Sequence, residues 1–568
     1  MAKTGSTSSS LRYAYLGLVT LRVCFAFLGT GYIHPDEYFQ NGEVVAGNNL
    51  GISSQLTWEW DPIFPCRSIL PVWLTTGLPF KLLSLLLRGQ APTPQSIFVA
   101  ERFPFLLSSF ILDYSIYHLV VESSRLQALL LLSSSYVVHT YLVRPFSNSL
   151  ETVFVALSLV LLKKLFLSES DRKQSQRVSL YLACLAFAVV CGVFTRITFV
   201  AFFLPVALEV LKWGLRESRF SLAAFARLYS LPVLVAGATT LGFVYADSVY
   251  FRGTVHPSHL ELTPLNFLRY NMLPSNLAEH GLHPRWLHLV VNLPMIATPG
   301  LLYYVFWSEV DIFVSRSGEE GKKKPGVVQL MQRSNHTAYY WVRWSAIALL
   351  SIQPHQEPRF LTPLLVPMIA MAINNARIFR ARRTFMIFWV VANSVLAVLF
   401  GVLHQGGVVP SLFRVHDMIY RSSDGIDSRN FRIVYWKTYM PPRHLLAVPL
   451  KDIDSLKVSI SDLAGASANS AIDALLAPPA FSDSRRLSTL LVAPFHSVND
   501  LAERIPGCVA ERERVFPHLD LDHIAESVQI GWMDGLSLGI FDIDLDCMEK
   551  AVRMERDQVD DTASTQSI

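Results

Sequence analysis

The sequence predicts a mainly α-helical, polytopic membrane protein that ends in a compact α+β domain. Three observations lead there. Of its 568 residues, 51% are hydrophobic and only 17% charged. A soluble globular chain carries about 25% charged residues, so a deficit of this size means that much of the surface faces lipid. Apolar runs approaching the roughly 20 residues of a straight bilayer crossing recur through residues 13–403. Beyond residue 404 the pattern changes to short β-branched runs between polar turns.

Residues 1–12 form a cytosolic N-terminus whose Lys3 and Arg12 flank the first run, Tyr13 to Ile33. No small-residue cleavage site follows, so the run reads as a retained signal anchor. Further spans are expected at 104–121, 126–143, 150–162, 178–194, 197–211, 229–250, 286–306, 338–353, 359–376 and 384–403, about eleven with the anchor. Lys and Arg concentrate in cytosolic loops. Here they cluster as Lys163, Lys164, Arg172, Lys173 and Arg177, and as Lys212, Arg216, Arg219 and Arg227. Two more clusters are Arg316 with Lys322 to Lys324, and Arg377, Arg380, Arg382 and Arg383. These alternate consistently only if the apolar stretch 69–87, with Pro71 and Pro79, does not cross. It is then a set of interfacial helices in a long lumenal loop, 34–103. The multi-spanning domain is 13–403 and the lumenal α+β domain 404–550, with strands at Arg432 to Trp436 and Leu487 to Val492. Residues 551–568 read as a disordered polar tail.

Composition excludes several functions. A net charge of +4 offers no basic field for nucleic acid. The six cysteines show no metal-ligand spacing. Cys24, Cys184 and Cys191 are small hydrophobes in apolar runs, whereas Cys508 and Cys547 share the tail domain and are expected to pair in an oxidising compartment. His256 and His259 read as surface histidines, and no metal site is expected. Asp113 and His118, inside a span, favour interhelical hydrogen bonding over a functional role. The pairs Asp520/Asp522 and Asp542/Asp544 are explained by strand alternation or a solvated face. There is no Gly-rich phosphate loop, and no internal repeat of the kind many transporters carry.

The most informative segment is His34-Pro35-Asp36-Glu37-Tyr38-Phe39-Gln40, where the first span ends. Two adjacent carboxylates at a membrane surface are costly to desolvate unless something uses them. Either one is a general base for a hydroxyl, or both are ordinary interfacial charges. Segments of similar character follow: Thr57-Trp58-Glu59-Trp60, Pro65-Cys66-Arg67-Ser68-Ile69, Pro264-Leu265-Asn266, Asn276 to Trp286 and Ser351 to Phe360. The tail adds Trp436 to Pro442 and Phe516 to Asp520. His34–Gln40 resembles the signature of family 22 glycosyltransferases, lipid-linked mannosyltransferases with a GT-C membrane fold. Its His-Pro-Asp-Glu form resembles the glycosylphosphatidylinositol (GPI) branch. Asn41 departs from the Ser that relatives commonly carry there, keeping a small polar residue.

The resemblance implies an enzyme of the endoplasmic reticulum membrane with a lumenal site. It implies inverting transfer of mannose from dolichol-phosphate-mannose to a mannose 2-hydroxyl of a trimannosyl GPI glycolipid, giving an α1,2 link. Transfer of the preceding, third mannose is the nearest alternative, and a polytopic transporter is the rival from another class. The donor is a co-substrate, and no cofactor is expected. Asp36 then matches the general base, with Glu37 as alternate or partner. The leaving phosphate needs charge stabilisation, which the arginine fork suits. His355 and Arg359 are the first candidates, with a helix-capping role as the other reading; Arg144 and Arg196 follow, or snorkel to the interface. His34, His280, His283 and Arg285 are candidates for the acceptor, or pack loops.

Overall fold

The computed structural model describes residues 2–168, 175–273, 276, 281–317, 327–373, 382–422, 425–426, 429–477 and 486–554. Seven of the described helices are long and apolar enough to cross a membrane: Ser9–Leu28, Ile69–Leu87, Pro94–Leu119, Arg177–Thr195, Leu222–Arg252, His288–Asp311 and Arg383–Leu403. Two stretches differ from expectation. Residues 69–87 run as one apolar helix through both prolines, with a π-helical turn at Trp73–Gly77. Pro71 lies in the first turn and Pro79 just after the π-turn, where a missing N–H is tolerated. Residues 126–143, expected as a span, are instead two short helices, Arg125–Ser133 and Tyr136–Thr140. The break falls at Ser133-Ser134-Ser135, whose hydroxyls compete for backbone groups. It is held by the Asn393 carbonyl, which accepts from Tyr136 N at 2.8 Å, and by Trp389 Nε1 donating to Ser134 Oγ at 2.8 Å.

The chain divides into two compact units. The first comprises 1–26, 56–75 and 102–395. Helix Ser175–Thr195 packs there between Ser147–Ser168 and Leu222–Arg252, and Phe199–Glu217 lies along Val327–Leu350. Every residue of Leu365–Ile373 is buried. Charges inside this unit are compensated: Arg22 meets Asp113 at 3.0 and 3.1 Å, and Tyr15 donates to the same carboxylate at 2.7 Å. Asp113 therefore serves interhelical bonding, as its place in an apolar helix implies.

The second unit comprises 27–55, 76–101 and 396–568. Its sheet has strands β1 Arg429–Tyr435, β2 Val458–Asp462, β3 Arg486–Pro494, β4 Val509–Val515 and β5 Leu538–Ile543, in the order β2-β1-β3-β5-β4. The first three are parallel, and β5 runs antiparallel to both β3 and β4. Val434, Trp436, Leu475, Leu491, Leu501 and Phe541 form the core on one face. Cys508 and Cys547 are joined by a disulfide across 39 residues. Residues 551–554, read from sequence as part of a disordered tail, continue a helix; 555–568 lie outside the described residues. Two early segments are stitched onto the tail by backbone bonds: Gly31 N to Gly401 O (2.9 Å), Tyr32 N to His404 O (2.7 Å) and Ser53 N to Val448 O (2.7 Å).

Candidate active site

In the second unit Pro35, with φ −54°, starts the one-turn helix Asp36–Phe39, which points two adjacent carboxylates in different directions. Asp36 keeps 26% of its side chain exposed. Gln40 Nε2, one turn on, donates to its Oδ2 at 2.5 Å, and His34 Nδ1 lies 3.3 Å from its Oδ1. Glu37 is fully buried. A substrate hydroxyl can therefore reach Asp36 and not Glu37. Behind the motif, Tyr38 packs edge-on to Tyr32 at 5.0 Å, and Tyr32 Oη donates to Met440 O at 3.0 Å.

Tyr38 also lies against the ring of His444, with centroids 6.0 Å apart. His444 is completely buried between two carboxylates, Nδ1 3.0 Å from Glu43 Oε1 and Nε2 2.9 Å from Glu101 Oε2. Burial by itself pushes its pKa down, but the Glu101 and Glu43 carboxylates outweigh that and hold it up at about 9. The ring is thus an imidazolium that donates from both nitrogens at neutral pH. Glu43 accepts further bonds from Gln55 N at 2.6 Å and His444 N at 3.1 Å. Gly42 lets its helix approach this triad: a Cβ there would fall on His444 Nε2 and Glu101 Oε2.

The first unit gathers the basic candidates. Glu357 bridges His355 and Arg359: its Oε1 lies 2.8 Å from His355 Nε2 and accepts from Arg359 Nη2 at 2.8 Å. Arg196 pairs with Glu151 at 3.3 Å and donates to Ser147 Oγ at 3.0 Å. Arg67, bound to Glu59 at 2.7 Å, reaches the same Ser147 hydroxyl at 3.5 Å. Phe360 joins the two groups, with the guanidinium of Arg196 5.1 Å and that of Arg359 5.5 Å from its ring centre. Arg359 also lies 5.8 Å from the ring of Phe146, two residues after the fully buried Arg144. Beside this cluster opens a cavity of about 360 Å³, lined by the polar Arg196, Thr198 and His355 and by the apolar Val200, Phe267, Leu268, Leu349 and Phe360.

Of the acceptor candidates, His34 belongs to the second unit beside Asp36. His283 belongs to the first, where its ring lies 6.0 Å from His355 and its Nδ1 accepts from Gln356 N at 3.3 Å. Arg285 is exposed there, and His280 lies outside the described residues. Sequence reasoning missed Glu43, Glu101 and His444 altogether. Glu59 and Arg67 stood inside segments it singled out, but their pairing gave no local signal.

The model of the Alg9-like mannosyltransferase family matches residues 13–447. The chain belongs to that family. Among curated relatives it is 37% identical to GPI mannosyltransferase 4 of Emericella nidulans, over 77% of this chain and 76% of that one. It is 31% identical to the human GPI alpha-1,2-mannosyltransferase 4, over 94% of each chain. Among solved structures, ArnT from Cupriavidus metallidurans superposes over 93% of this chain with a TM-score of 0.46 and 11% identity, too distant to bear on the site. A member of this family is a mannosyltransferase, and the long apolar helices make this one a multi-pass membrane protein.

Proposed function

We propose that the enzyme transfers mannose from dolichol-phosphate-mannose to the third mannose of a trimannosyl GPI precursor, forming an α1,2 link, on the lumenal side of the endoplasmic reticulum membrane. The reading is carried by the end-to-end likeness to the human GPI alpha-1,2-mannosyltransferase 4. The geometry supports it: a mostly apolar cavity whose lining includes Arg196 and His355 suits a phosphate attached to a lipid. Asp36 removes the proton of the acceptor 2-hydroxyl as that oxygen attacks C1 of the donor mannose. The C1–O bond breaks on the opposite face, and its electron pair leaves with dolichyl phosphate. Arg196, Arg359 and His355, together with Arg144, balance the phosphate charge. His34, His283 and Arg285 contact the acceptor glycan. Glu37 orients its neighbour, and the reaction uses no cofactor besides the lipid-linked donor.

The test is Asp36→Asn in microsomes given dolichol-phosphate-mannose and a trimannosyl GPI acceptor, with protein level checked by blot. General-base catalysis contributes about 10²–10⁴-fold, so the rate should fall at least about 100-fold while Glu37→Gln loses less. Near-normal formation of the four-mannose product by Asp36→Asn would refute the mechanism, and wild-type activity only on a two-mannose acceptor would refute the substrate.

A further inference from the structure

The Phe516 to Asp520 segment, which the reaction chemistry leaves unused, leads into a cluster of two imidazoles and a carboxylate in the second unit. Helix Phe495–Arg504 supplies His496 in its first turn, and the loop before helix Ile524–Gln529 supplies Asp520 and His523. One donor atom from each lies within 4.8 Å of the others. His523 Nδ1 is 2.6 Å and His496 Nε2 3.9 Å from Asp520 Oδ2, and the two rings stack at 5.3 Å.

Three features mark the cluster as a ligand site. The His496 side chain is only 7% exposed, yet its Nε2 is a buried polar atom with no hydrogen-bond partner. Its other nitrogen lies 3.1 Å from Ser497 Oγ. A proton on Nδ1 donated to that hydroxyl leaves the Nε2 lone pair on the side of Asp520, which is how metal-binding histidines are oriented. Asp520, 3% exposed, accepts from Asp522 N at 3.0 Å through Oδ1, and this fixes Oδ2 toward the rings.

We infer that His496 Nε2, Asp520 Oδ2 and His523 Nδ1 form a binding site for a divalent transition cation of the zinc class. Two imidazoles with one carboxylate match that class, whereas calcium and magnesium require oxygen ligands. Bonds of about 2.0–2.2 Å to such an ion set tetrahedral donors about 3.3 Å apart, so His496 and Asp520 close by a fraction of an ångström. On binding, His523 gives up its bond to Asp520 and carries its hydrogen on the solvent-side Nε2. Water completes the fourth position.

The ion ties helix Phe495–Arg504 to the 516–523 loop, and the loop holds the reaction motif from behind. Leu519 N donates to Leu403 O at 2.8 Å and Gln405 N to Leu519 O at 3.0 Å. The next residue, His404, receives Tyr32 N at 2.7 Å, two positions before His34. The cation is thus a brace of the second unit and takes no part in the bond exchange.

The experiment uses the full-length, tag-free protein in detergent, stripped with chelator and titrated with Co²⁺ and with Zn²⁺. One equivalent should bind per chain, with the visible spectrum of four-coordinate Co²⁺, and Zn²⁺ should displace it. His523→Gln, at a partly exposed position, and His496→Gln should each weaken binding at least about 100-fold. Zn²⁺ should raise the unfolding midpoint of wild type and not of His523→Gln. Absence of stoichiometric Co²⁺ uptake by wild type, or unchanged affinity in both variants, overturns the site. Metal stoichiometry is independent of mannosyl transfer, so failure of the proposed activity and failure of this site are read separately.

Discussion

Replacing His444 by Leu removes the imidazolium that bridges Glu43 and Glu101 and leaves both carboxylates without it in a site with no exposed surface. The magnitude follows from the ring's own preference. A rise from the ordinary 6.5 to about 9 corresponds to about 3 kcal/mol in favour of the folded, charged form, at about 1.4 kcal/mol per pH unit. Breaking a buried ion pair by deleting one partner costs about 3–5 kcal/mol, which agrees. For a unit of roughly 200 residues each kcal/mol shifts the midpoint by about 2–4 °C, so a loss of about 3 kcal/mol should lower it by roughly 6–12 °C. Because the folded pKa is raised, this stability is complete below pH 6.5 and is lost as pH climbs through about 9. Wild type should therefore lose melting temperature between pH 7 and 10, with His444→Leu flatter across the same window. Unfolding of the detergent-solubilised enzyme is followed by the fluorescence of Trp436, buried in the second unit. Adding Glu43→Gln and Glu101→Gln to His444→Leu should recover part of the loss, since neutral amides then replace the two buried carboxylates. An unchanged midpoint with an unchanged pH slope would refute the triad as a charged, stabilising element.

Three further outcomes are expected. Arg359→Lys keeps the charge but loses the fork that meets Glu357 and Phe360, so transfer in the microsomal assay should fall at least about tenfold; full activity would move the phosphate contact to Arg196 or Arg144. Gly42→Ala places a methyl on a ring that two carboxylates hold fixed, and overpacking of this kind costs about 1–3 kcal/mol, measured as a lower midpoint with the same pH slope as wild type. Cys508→Ala opens a 39-residue loop, worth about 4 kcal/mol by loop entropy, so tail-specific proteolysis should accelerate and reductant should have no further effect on the variant.

What the sequence made legible were features written in contiguous residues. The β-branched runs within β1 and β3 identified two central strands, whereas β4, Val-Ala-Glu-Arg-Glu-Arg-Val, did not read as a strand. It lies at a sheet edge with a register shift between Glu511 and Glu513. Charges and bulges are how edges avoid pairing with other chains, so the protective device masks the strand pattern. The His34–Gln40 motif was visible for the same reason that β1 was: its parts are adjacent. The Glu43–His444–Glu101 triad joins residues 401 and 343 positions apart, and no local pattern marks any of them. Asp520 was misread as part of a strand or a solvated face because its spacing to Asp522 mimics alternation. The structure buries it beside His523, outside any strand.

The second unit is stitched from segments at both ends of the chain, and this sets an order of events during synthesis. Glu43 leaves the ribosome 401 residues before the histidine that neutralises it. At about 5–20 residues per second the interval is roughly 20–80 s. Throughout that time every apolar helix of the first unit can be inserted while the reaction motif has no backbone to rest on. A chain stopped between residue 404 and His444 would carry the intact motif and all seven of the long apolar helices described, yet lack the imidazole that bridges Glu43 and Glu101.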